Sequence, residues 1–171
     1  MSSDKSDSSI SVEQLLSVSP WSPKSKARLA ESLSSLSQVP LPKRAQLGRD
    51  LIAVLQDNSE RISRRGKAAV LLGFSWKEFA AEGANDIPSA LLAVLESEFT
   101  HSRVYALTHT SPSEKRCPDA SYFLLQMLVT GLINIRSPGD LPELDTLRDA
   151  VRNSKFEDWM QRALATRARR Q

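Results

Sequence analysis

Three times in this chain a serine is followed three residues later by glutamine or glutamate at the head of an apolar run: Ser11–Gln14, Ser75–Glu78 and Ser154–Glu157. In such a capping box the serine hydroxyl accepts a hydrogen bond from the N3 amide, and the longer side chain accepts one from the cap amide. Two donors that a helix start leaves orphaned are thereby satisfied. Ile10 with Leu15, and Phe74 with Phe79, are placed to staple the first two of these starts. A chain with such frequent start signals folds into short helices.

The stop signals agree. The first helix runs to about Val18 and ends before Pro20; Ser22-Pro23 opens the next, with proline at the first helical position. Ala27, Ala30, Leu33 and Leu36 make a narrow stripe on that Ser-rich segment. Val39-Pro40-Leu41-Pro42 reads as a stiff connector and domain boundary. Beyond it, Leu47, Leu51, Val54 and Leu55 follow an amphipathic pattern that Asp57-Asn58-Ser59 breaks. Further helices are expected over 60–72, from Ser75 to about Gly83, and from Pro88 through Leu91, Leu92, Val94, Leu95 and Phe99. Arg103 to Thr110 permits a strand, but no second strand offers itself for pairing, so it reads as a helix continuation. After a polar loop from Ser111 to Pro118, an apolar helix covers about Ala120 to Ile135. Leu144, Leu147 and Val151 mark another, and Phe156, Trp159, Met160, Ala163 and Leu164 the last.

The expected architecture is all-α, seven to nine short helices in one irregular bundle. A disordered tail over 1–9 precedes an N-terminal helical segment over 10–38. A main helical domain over 43–166 and a basic tail over 167–171 complete the chain. With 40% apolar and 25% charged residues, a real core can be buried.

Composition narrows the chemistry. Six glycines are few for a phosphate-cradling enzyme, and a single cysteine excludes an internal disulfide or a multi-cysteine zinc site. His101, His109, Cys117 and Asp119 supply the residue types of a nucleophilic constellation, but no local motif activates the thiol. No P-loop, GxGxxG, HExxH or GxSxG occurs. The expectation is a non-enzyme with no cofactor, no catalytic residue and no metal site. The polar start MSSDKSDSS lacks the apolar core of a secretory signal, and the longest apolar stretch, Tyr122 to Ile135, is about fourteen residues against the roughly twenty a span needs. A soluble intracellular protein (cytoplasm or nucleus) without a membrane partner is expected.

The net charge of +3 points to no partner by itself. Local surplus lies in two runs free of acidic residues: Arg61, Arg64, Arg65 and Lys67, and Arg162, Arg167, Arg169 and Arg170. The first run opens a segment with helix-turn-helix spacing. Ala69 supplies a small residue for a close crossing, Gly73 a turn residue able to take positive φ, and Phe79 an apolar lock on the second helix. Residues 66–79, GKAAVLLGFSWKEF, resemble a helix-turn-helix stretch in a family of small prokaryotic antitoxin-like proteins. The likeness covers about fourteen of 171 residues.

Two functional readings follow. In the first, the chain is a regulator binding double-stranded DNA through 61–82. Ser75, Trp76 and Lys77 would head the recognition helix, and Arg61, Arg64, Arg65 and Lys67 would hold phosphates. Glu78 and Glu82 oppose that reading, and an ordinary helical hairpin with Ala69, Phe74 and Phe79 in the core explains the same spacing. In the second, the chain is a helical interaction or scaffold protein that docks a protein partner through residues 10–38 or the C-terminal helix. There Phe156, Trp159 and Met160 would anchor a partner where exposed, and helical spacing makes them core where not.

Overall fold

At the N-terminus the capping box read from the sequence is present with both of its hydrogen bonds. In a computed structural model, the Ser11 hydroxyl accepts from the Gln14 amide at 3.2 Å, and Gln14 Oε1 accepts from the Ser11 amide at 2.9 Å. Helix α1 (Val12–Ser17) starts there and turns Leu15 and Leu16 into the core. The structure describes residues 10–18, 23–80, 83, 85–100, 120–135, 142–150, 152 and 155–169. The Arg103–Thr110 question, the His–Cys–Asp set and the Ser154 cap lie outside them.

Helix α2 (Pro23–Ser34) runs into a 3-10 turn (Ser35–Gln38). The expected stripe is corrected by the burial pattern. Ala27 and Ala30 are exposed, and the buried face is Leu29, half-buried Leu33 and Leu36. A spacing of four and then three fits an α-helix that tightens to three residues per turn, whereas threes throughout would drift around the helix. Leu15, Leu16, Leu29 and Leu36 belong to the same apolar core as the rest of the chain.

The expected connector is corrected to a helix start: Pro40 caps α3 (Leu41–Gln56) and Pro42 lies in its first turn, where a missing amide donor costs nothing. Its end is an Asx turn: Asp57 Oδ1 accepts from the Ser59 amide at 2.8 Å and from its hydroxyl at 2.7 Å. Those two hydrogen bonds hold the Asp57 carboxyl below its ordinary range.

Helix α4 (Ile62–Phe74) is the centre of the bundle, with Ala68, Ala69, Val70, Leu71 and Leu72 all buried. Helix α5 (Trp76–Ala80) follows after one residue. Next come α6 (Ile87–Thr100), α7 (Ala120–Ile135), α8 (Pro142–Ala150) and α9 (Lys155–Ala168). The fold is all-α: nine α-helices and no strand among the described residues. None of these helices is long and apolar enough to cross a membrane.

The most intimate helix pair is α4 with α7. A Cβ added at Gly73 would lie 2.4 Å from the Gly131 Cα, and one added at Gly131 would lie 2.6 Å from the Ala69 carbonyl oxygen. Gly73 is therefore a helical residue suited to backbone contact, and the expected turn glycine with positive φ is corrected. That conformation belongs instead to Gly83, at φ +92°. Nothing approaches a Cβ at Gly83, so strain there is purely conformational. Gly83→Ala should cost about 1 kcal/mol in chemical denaturation. Gly83→Asn should cost less, because asparagine tolerates left-handed backbone; equal stability of all three forms would contradict this.

Candidate functional site

The residues of the helix-turn-helix reading do not gather on one open surface. Arg61 is exposed at the start of α4. Arg64 is held across the chain by Glu13, with contacts of 2.7 and 3.0 Å, and by Glu60 at 3.1 Å. The Arg64 hydrogen bond keeps the Glu13 carboxyl below its usual range, and Glu13 in return raises the Arg64 guanidinium. Lys67 donates to the Leu16 carbonyl at 2.8 Å, so it fastens α1 onto α4.

Arg65 faces inward. It is 5% exposed, its Nε donates to the Leu55 carbonyl at 2.9 Å, and its guanidinium meets Glu98 at 3.0 Å. Arg65 therefore closes the end of α3 and ties α4 to α6. Its placement as a phosphate contact is corrected: arginine reads as surface because charge usually is, whereas this one has an acidic partner 33 residues away.

The second helix also differs from the expectation. Ser75 closes α4, its amide donating to the Leu71 carbonyl at 3.1 Å. Glu78 pairs with Arg44 of α3, so its carboxylate does not complete a capping box on Ser75. The Phe74–Phe79 staple is absent, since Phe79 is fully buried and Phe74 is 52% exposed. Helix α5 covers the five residues Trp76–Ala80, and Gly83, expected as its end, stands in a turn of positive φ. Asn85 fixes this corner, donating to the Phe79 carbonyl at 2.7 Å and the Ala45 carbonyl at 2.9 Å. Trp76 is half-buried against the core, and the Lys77 ammonium lies 5.8 Å from its ring centre. Of the predicted cations, Arg61 and Lys77 are exposed. The thirteen-residue α4 lies between them in sequence, about 20 Å of helix at 1.5 Å per residue.

A different feature stands out where the end of α4 meets α7 and α9. Phe74 lines a groove of about 350 Å³ together with Ile133 of α7 and Trp159 and Ala163 of α9. Arg162 and Arg167 complete the α9 side. Phe156, Trp159 and Met160, which by sequence are either core or anchor, divide between the two. Phe156 and Met160 are buried, while Trp159 is half-buried, 5.4 Å from the Phe156 ring, and faces the groove. Phe74 and Ile133 were not legible as groove residues from the sequence. The one available signal was Phe74 itself, an aromatic just past the last buried position of a helix.

No group of histidine, cysteine, aspartate or glutamate among the described residues is arranged to hold a metal ion. Comparison of the chain with protein-family models, with curated proteins and with solved structures gives no match.

Proposed function

We propose that this chain is a non-enzymatic binding protein whose ligand is another protein, held in the groove between α7, α9 and the end of α4. One observation carries the reading: Phe74 is 52% exposed at the edge of a concave, partly apolar surface. An aromatic ring left half in water beside a second half-buried aromatic is the pattern of an interface anchor. The DNA reading through 61–82 finds less support in the same geometry. Arg65 is internal, Arg64 and Lys67 hold α1, and Glu78 of α5 is engaged by Arg44.

The test is a photo-crosslinking residue placed at position 74 of the full chain, with the exposed Ala53 of α3 as comparison site. Cell extract is irradiated, and adducts are digested separately with protease and nuclease. A discrete adduct from position 74, absent from position 53 and removed by protease alone, is the expected result. A nuclease-sensitive adduct, equal yields from both positions, or no adduct at 74 would overturn the proposal. In parallel, a labelled random duplex at about 50 and 200 mM salt should show no salt-sensitive micromolar binding, which a DNA-binding protein would display through counterion release.

A further inference from the structure

Five arginines among the described residues have carboxylate partners. Arg44 pairs with Glu78, Arg64 with Glu13 and Glu60, Arg65 with Glu98, Arg148 with Asp145 and Arg152 with Asp149. The two that line the groove do not. Neither Arg162 nor Arg167 has an ion-pair partner among the described residues. Arg167 is the sharper case: its Nε, like those of Arg44 and Arg64, is shut off from solvent without a hydrogen-bond partner among the described residues, and unlike theirs its guanidinium has no carboxylate beside it. A guanidinium N–H withdrawn from water without an acceptor is costly until one arrives. No aspartate or glutamate lines the groove.

Resting on the docking reading above, we infer that the groove takes an acidic protein segment with a hydrophobic anchor. An aromatic or aliphatic side chain seats between Phe74 and Trp159, and carboxylates one to two turns away accept from Arg162 and Arg167. The planar fork of each guanidinium suits a carboxylate, with two parallel N–H···O bonds. A volume of about 350 Å³ is at the small end of ligand-sized clefts, so it holds an anchor and leaves the rest of the segment on the surface. The lining argues against a nucleic acid strand: Ile133 and Ala163 are aliphatic, and two lining cations make no continuous track for a phosphate backbone.

The experiment pans a random dodecapeptide library against the immobilised full-length protein, then measures enriched peptides by anisotropy. Enrichment of aspartate and glutamate around one aromatic or leucine is expected. Binding should weaken by about tenfold in Arg162→Ala/Arg167→Ala and in the exposed Phe74→Ala, and should weaken with rising salt. All three side chains are at least partly in solvent, so circular dichroism should match wild type. Peptides that need Phe74 but carry no acidic residues would overturn this partner chemistry while leaving a protein-docking groove intact. Peptides indifferent to Phe74, or no enrichment at all, would overturn both. Displacement of enriched peptides by a single-stranded oligonucleotide at equal concentration would reassign the groove to nucleic acid.

Discussion

Arg65→Ala is expected to destabilise the fold by about 3–5 kcal/mol, the range for removing one partner of a buried ion pair. The change strands Glu98, whose side chain is only 13% exposed, and frees the Leu55 carbonyl at the end of α3. Most of the loss comes from that uncompensated carboxylate and little from the attraction itself. Arg65→Met/Glu98→Leu should therefore recover much of it, since two apolar side chains of similar bulk need no compensation. Recovery should stop about 1 kcal/mol short, because the Leu55 carbonyl still lacks its donor. Urea unfolding of the two variants and wild type measures both effects. If Arg65 were an exposed phosphate contact, Arg65→Ala would change stability by no more than about 0.5 kcal/mol, and that result would refute its internal ion pair with Glu98.

Gly73→Ala is the second large effect, and its sign is diagnostic. In an ordinary helix interior this exchange stabilises by about 1 kcal/mol, because alanine loses less backbone entropy. At this crossing the new methyl would stand 2.4 Å from the Gly131 Cα and 2.5 Å from its carbonyl oxygen, both backbone atoms that cannot swing aside. Helices α4 and α7 must separate, and overpacking of this kind costs about 1–3 kcal/mol or more. A net loss of about 2 kcal/mol is expected, or roughly 4–8 °C in Tm for a chain of this size. Gly131→Ala should behave alike, since its methyl meets the Ala69 carbonyl at 2.6 Å. The double variant should lose less than the sum, because helices already parted admit the second methyl. A midpoint unchanged or raised in Gly73→Ala would show that the two backbones are not in contact.

Both effects concern residues that the sequence marked out for another purpose. Ala69, Gly73 and Phe79 are spaced as in a helix-turn-helix, and each is indeed a close-packing residue. Ala69 and Gly73 meet α7, however, while Phe79 is buried beside α3. A small residue every fourth position reports that something approaches closely. It does not report what, because the partner lies 58 positions further along, from Gly73 to Gly131. The same holds for the basic run. Arg61, Arg64, Arg65 and Lys67 look alike in sequence, yet one is exposed, one is buried, and two grip α1. The groove was hidden for a related reason: its walls come from three helices, and Ile133 sits in an apolar run that reads as uniform core.

What the sequence determined by itself is local. Helix content, the Ser11–Gln14 cap and the Asp57–Ser59 stop all arise from hydrogen bonds or φ restrictions within a few residues. Their physics is complete inside a short window. Tertiary structure decided which charges would be paired inside and which left at a surface, and which glycine would bend and which would touch. It also decided which aromatics would remain in water. Those outcomes depend on side chains brought together from distant segments, and burial changes the consequence of a charge or a methyl group from negligible to several kcal/mol.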